Sequence, residues 1–76
     1  MTVGEFIDFI NNANDFAYDD GILNLGVYSG GGQSVCCHGI DDEGITFTSI
    51  DDVLNKFIID GKPFRDILPT LDDNLL

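Results

Sequence analysis

The side chains best suited to bond-making chemistry stand together as Cys36-Cys37-His38. A thiol beside an imidazole is the raw material of a nucleophile–base pair or of a soft metal site. On an alternating strand Cys36 and His38 share a face, expected to be the more exposed one, roughly 6.5 Å apart along the chain. That distance is long for direct proton transfer. An acidic setting also raises a thiol pKa, which opposes a reactive thiolate. A zinc site needs four ligands, or three and a water, and this strand offers two. Catalysis is therefore not expected, and neither a metal nor another cofactor is. A ligand- or metal-binding face on Cys36 and His38 is kept as a second alternative, with Cys37 read as a small core residue.

The carboxylates form clusters: Asp19-Asp20, Asp41-Asp42-Glu43, Asp51-Asp52 and Asp72-Asp73. None follows the alternating spacing of an EF-hand loop, and a general acid–base pair would need two of them in one cleft with separated pKa values. Turns and helix caps account for most of them. The run Ser29-Gly30-Gly31-Gly32-Gln33 is no phosphate cradle, because a strand follows it instead of a helix and no cation lies nearby. It reads as a flexible hairpin loop and a weak contact site.

Charge narrows the partners. The chain carries 14 Asp and Glu against 3 Lys and Arg, a formal charge of -11. Lys56, Lys62 and Arg65 all lie near the C-terminus, and the first 55 residues hold ten acids and no Lys or Arg. Direct nucleic-acid binding by phosphate neutralisation is excluded on that count, as is attraction to an anionic membrane. A one-signed surface favours partners with a basic surface. Disorder is not expected, because 43% of the residues are hydrophobic and six are Phe.

These residues must be held by a small frame. Seventy-six residues allow one domain, residues 1–76, with a core too small to enclose a deep pocket. Adjacent cysteines do not make an ordinary disulfide, the N-terminus lacks a signal-peptide pattern, and no apolar run is long enough for a membrane span. The expected setting is the reduced cytoplasm.

Thr2 and Glu5 form a capping box for a first helix with Val3, Phe6, Ile7, Ile10 and Ala13 on one stripe, widened by Phe9 and extended by Phe16 and Ala17. Asp19-Asp20-Gly21 reads as a turn. Three alternating runs follow, with Leu23, Leu25, Val27, Val35, Cys37, Ile45 and Phe47 expected inside. Asn24, Tyr28, Ser34, Cys36, His38, Thr46 and Thr48 are expected outside. Ser49 caps a helix over 50–58 that Asp60-Gly61 ends. Pro63 opens a short third helix that Pro69 stops, and 70–76 form an acidic tail prone to fraying. The fold class is α+β: a two-layer sandwich in α-β-β-β-α-α order, a three-stranded antiparallel meander with helices on one face. That order resembles the double-stranded-RNA-binding domain in element order alone; the basic residues such a domain needs are missing.

The expected function is a non-catalytic protein-interaction module. Its contact residues would come from Asp19, Asp20, Tyr28, Cys36, His38, Asp41, Asp42, Glu43, Asp51 and Asp52. The first alternative is a nucleic-acid mimic that inhibits a DNA- or RNA-binding protein, a strategy of small phage-encoded nuclease inhibitors, to none of which a motif here matches. A homodimer through the open sheet face or an edge strand is a further expected arrangement.

Overall fold

Thr2 and Glu5 cap each other's backbone: the Thr2 amide donates to Glu5 Oε1 at 2.9 Å and the Glu5 amide to Thr2 Oγ1 at 3.1 Å. Behind this box Val3–Ala13 forms α1, with Phe6 and Ile10 buried and Val3 and Ile7 packed beside them. The computed structural model describes residues 1–13, 15–39 and 42–75. The chain then makes four strands: β1 (Asp15–Asp19), β2 (Asn24–Gly30), β3 (Gln33–His38) and β4 (Ile45–Phe47). They pair antiparallel in sequence order. α2 (Ile50–Lys56) begins at Ser49, whose hydroxyl accepts the Asp52 amide at 3.1 Å. A small hairpin, β5 (Ile58–Ile59) and β6 (Lys62–Pro63), leads into α3 (Phe64–Ile67) and a 3-10 turn at Leu68–Thr70.

The α+β sandwich with an antiparallel meander is as expected from the sequence, with four strands in place of three. Phe16 and Ala17, expected to extend α1, and Asp19, expected in a turn, belong instead to the strand Asp15–Asp19. Its alternation of exposed Asp15, Ala17 and Asp19 with buried Phe16 and Tyr18 has period two, so it pairs with β2 instead. α2 stops at Lys56, two residues short of its expected end, and Ile58–Ile59 turns into a hairpin. Pro69 sits within the 3-10 turn that prolongs α3.

β3 presents the opposite face to the one expected. Ser34 and Cys36 face the core and Val35 and Cys37 face away, the reverse of the expected pattern. The hairpin tip decides this. Gly31 (φ 60°) and Gly32 (φ 80°) are the two central residues of a tight turn in which Gly30 pairs Gln33. Positive φ at both positions is the type I′ geometry that fixes register. Counting back sets Val27 opposite Cys36 and Ser29 opposite Ser34. The buried Ser34 hydroxyl is satisfied by Ser29 Oγ at 2.7 Å. Ile45 shares the core-side row with Cys36 yet is 54% exposed, because β4 is an edge strand with no neighbour beyond it.

Between the layers Phe6, Phe16, Phe57 and Phe64 are fully buried. Phe6 meets Phe16 and Phe64 edge-on, with ring centres 5.3 and 5.0 Å apart. That is the preferred geometry for aromatic quadrupoles. The accessible surface is 4617 Å², close to the roughly 4,600 Å² expected for a folded monomer of this mass.

Residues 70–75, read as a tail, are attached to the body. Leu71 is buried, and the Asp72 amide donates to Tyr18 Oη at 3.0 Å. The N-terminal ammonium lies 2.7 Å from Asp73 Oδ1.

Candidate interaction surface

The helices cover one face of the sheet, and the other face is built from the alternate residues. Register places Asp15 opposite Tyr28, Tyr28 opposite Val35, and Val35 opposite Thr46. The next row is Ala17, Gly26 and Cys37, and the one after it Asp19 and Asn24. Tyr28 is 47% exposed. Its ring lies across Gly26, where an added Cβ would come within 2.7 Å of the hydroxyl and 2.8 Å of Cε2. Glycine at 26 is thus what lets the ring lie down on the sheet. Gly44 lies against this face: a Cβ there would meet Val35 Cγ1 at 2.7 Å and Cys37 Sγ at 3.0 Å.

The carboxylates sort by the hydrogen bonds they accept. Asp19 Oδ1 takes the Gly21 amide at 2.9 Å. Asp20 Oδ1 takes the amides of Ile22 and Leu23 at 2.9 and 2.6 Å, and its Oδ2 the Tyr18 hydroxyl at 3.0 Å. Asp42 takes the His38 amide at 2.7 Å and the Gly44 amide at 2.9 Å. Amides of Leu23 and Ile22 at Asp20, and of His38 and Gly44 at Asp42, favour the ionised form and hold both carboxyls below the ordinary Asp value. Asp52 pairs with Lys56 at 3.3 Å, an i,i+4 bridge on α2. Asp51 is exposed in the first turn of α2, where the helix dipole favours an anion. Glu43 is exposed beside Asp42. Asp41 lies outside the described residues.

Gly39 donates to the Asn24 carbonyl at 2.9 Å, so the β1–β2 turn and the β3–β4 connection are neighbours. Asp19, Asp20, Asp42 and Glu43 share that end; Asp51 and Asp52, beyond β4, lie at the other.

Cys36 and His38 do not belong to the exposed face. Cys36 is fully buried on the core side of β3, and burial, with a smaller contribution from Cys37, pushes its thiol up to about 12. A neutral core thiol neither attacks nor ligates. His38 is half-buried in the core-side row of Tyr18 and Leu25. Cys36 and His38 thus share the core side of the sheet in place of an exposed face, and among the described residues no three His, Cys, Asp or Glu side chains gather as a metal cage. Cys37, assigned to the core, is instead the half-buried thiol of the open face.

An open cleft of about 340 Å³ separates the Gly30–Gly32 tip from the start of α2, with Ser29, Ser34 and Ser49 on its walls and Ile10 and Ile50 below. No charged residue lines it, so it takes no share of the electrostatic asymmetry. None of the described helices is long and apolar enough to cross a membrane.

No protein-family model, curated protein or solved structure matches the chain. The surface therefore has to be read from its own residues. The one that sequence reasoning missed is Asp15, placed beside Tyr28 only once β1 is a strand. The signal was there in Asp15-Phe16-Ala17-Tyr18-Asp19, whose two aromatics are spaced for a strand and whose acids take both ends.

Proposed function

We propose that the protein is a non-catalytic interaction module whose partner is a protein with a basic surface. One observation carries this reading: the cations are confined to the segment after the four-stranded sheet, while acids lie throughout the chain. Residues 15–49, which make the sheet and its turns, contain no Lys or Arg. Lys56, Lys62 and Arg65 belong to α2, β6 and α3. A surface of one sign speeds encounter with a cationic partner and rejects anionic ones. It also opposes face-to-face pairing of two copies, since Asp15 and Asp19 of each would be brought together.

The layout gives the nucleic-acid mimic less support. Mimicry needs a dense track of carboxylates, because a duplex bears one charge per about 1.7 Å. Here the acids lie at two ends of the sheet and on α1 and α3, and several are engaged by their own turns.

The test is capture from the native host on immobilised protein, washed at increasing salt. The expected result is a discrete partner with an excess of Lys and Arg on its surface, released between about 0.2 and 0.5 M salt as screening shortens the Debye length. A partner that is acidic, or that stays bound at about 1 M salt, contradicts the reading.

A further inference from the structure

We propose that Tyr28 and Asp15 form the seat for an arginine side chain of the partner; this rests on the cationic-partner reading and places it on the open face of the sheet. Tyr28 presents an aromatic face to solvent while Gly26 supports the ring from below. The ring is thus already in place before anything binds, and little side-chain freedom remains to be lost. Asp15 stands directly opposite Tyr28 on the neighbouring strand, where Cβ atoms are about 4.5–5.5 Å apart. Asp19 follows roughly 13 Å beyond Asp15 on the same strand and face, on the far side of the Ala17–Gly26 row over which the ring lies.

An exposed ring beside a carboxylate selects its ligand. An anion has nothing to hold it, because residues 15–49 contain no Lys or Arg. A purely apolar partner would desolvate Asp15 without pairing it, which is costly. An ammonium can approach the ring, but it is compact and strongly hydrated. A guanidinium is planar and weakly hydrated, so it stacks on the ring while its in-plane N–H groups reach the carboxylate. Arginine uses both features at once. A second copy of this chain offers Arg65, but from α3 in the helical layer, and its approach sets a charge of -11 against another of -11.

The experiment is an amide NMR titration of the whole protein with a blocked tetra-arginine peptide, with tetra-lysine as the equal-charge control. Shifts centred on Asp15–Asp19 and Gly26–Ser29, and tighter binding of tetra-arginine, are expected. Tyr28→Leu weakens tetra-arginine about two- to fivefold, the scale of one exposed cation–π contact, whereas Tyr28→Phe keeps the ring and the affinity. Asp15→Asn weakens it more than Asp51→Asn, though both remove one charge. Retained amide spectra show that each variant is folded. Shifts centred on Glu43 or Asp51, equal affinity for the two peptides, an unaffected Tyr28→Leu, or peptide-driven pairing of two copies each overturn the seat and leave the cationic preference intact. Absence of binding by either peptide at low salt removes both.

Discussion

Glu5, Asp20 and Asp42 each exchange bulk water for backbone amides, and the exchange holds only while they are charged. The Thr2 amide and hydroxyl at Glu5, the Leu23 and Ile22 amides at Asp20, and the His38 and Gly44 amides at Asp42 lower these carboxyl pKa values in the fold. A group with a depressed folded value stabilises the protein above its unfolded value and loses that contribution as pH falls through the folded one. The ordinary values are 4.5 for Glu5 and 3.8 for the two aspartates. Urea midpoints should therefore hold down to about pH 4.5 and fall below it. Asp42→Asn, tested in the same series, should start lower and fall less steeply; parallel curves would contradict this. The two thiols make a second contrast. Cys37 should react with a thiol reagent in the native protein, and Cys36 only on unfolding, because one is half-buried and the other fully buried with a raised pKa. Mass spectrometry of singly and doubly labelled chains distinguishes them.

At the scale of elements, turn chemistry carried more information than hydropathy. The helix caps at Thr2–Glu5 and Ser49 were legible because each uses a fixed spacing of oxygen and amide. The face of β3 was not, because the adjacent Cys36 and Cys37 let Ser34-Val35-Cys36-Cys37-His38 alternate in either sense and the register is set by Gly31-Gly32. Asp60-Gly61 was read as a helix stop, yet Asp60 at φ 53° and Gly61 at φ 81° form a second hairpin tip of the same kind. Tyr28 was identified as a contact residue from its strand position, but Asp15 depended on seeing β1. Tyr18 joins distant elements that no local pattern connects: its hydroxyl accepts from Asp72 and donates to Asp20. The Asp72 amide favours the phenolate, while burial and Asp20 outweigh it and raise the phenol's pKa. Tyr18→Phe removes both links and should cost about 1–3 kcal/mol in urea unfolding, the price of an amide left without its partner. A loss below about 0.3 kcal/mol would show that water replaces the hydroxyl.

For the molecule as a whole, two opposing effects set stability. A net charge of -11 on a body 30 × 25 × 19 Å across repels itself, so added sodium chloride should raise the thermal midpoint between about 0.02 and 0.3 M. A midpoint that falls would mean that local ion pairs outweigh the repulsion. Against that repulsion stands the Phe cluster. Phe6 touches aromatic neighbours from both layers, and Phe6→Ala should lose about 3–5 kcal/mol by chemical denaturation. In a domain this small such a loss approaches the total stability.

The contact between the Met1 ammonium and Asp73 brings residues from opposite ends of the sequence to one spot on the helical side. A tether attached near Met1 or Asp73 therefore leaves from the back of the molecule. Anchored to a bead or a sensor surface, the protein would hold its sheet outward, with Tyr28 and Asp15 clear of the support.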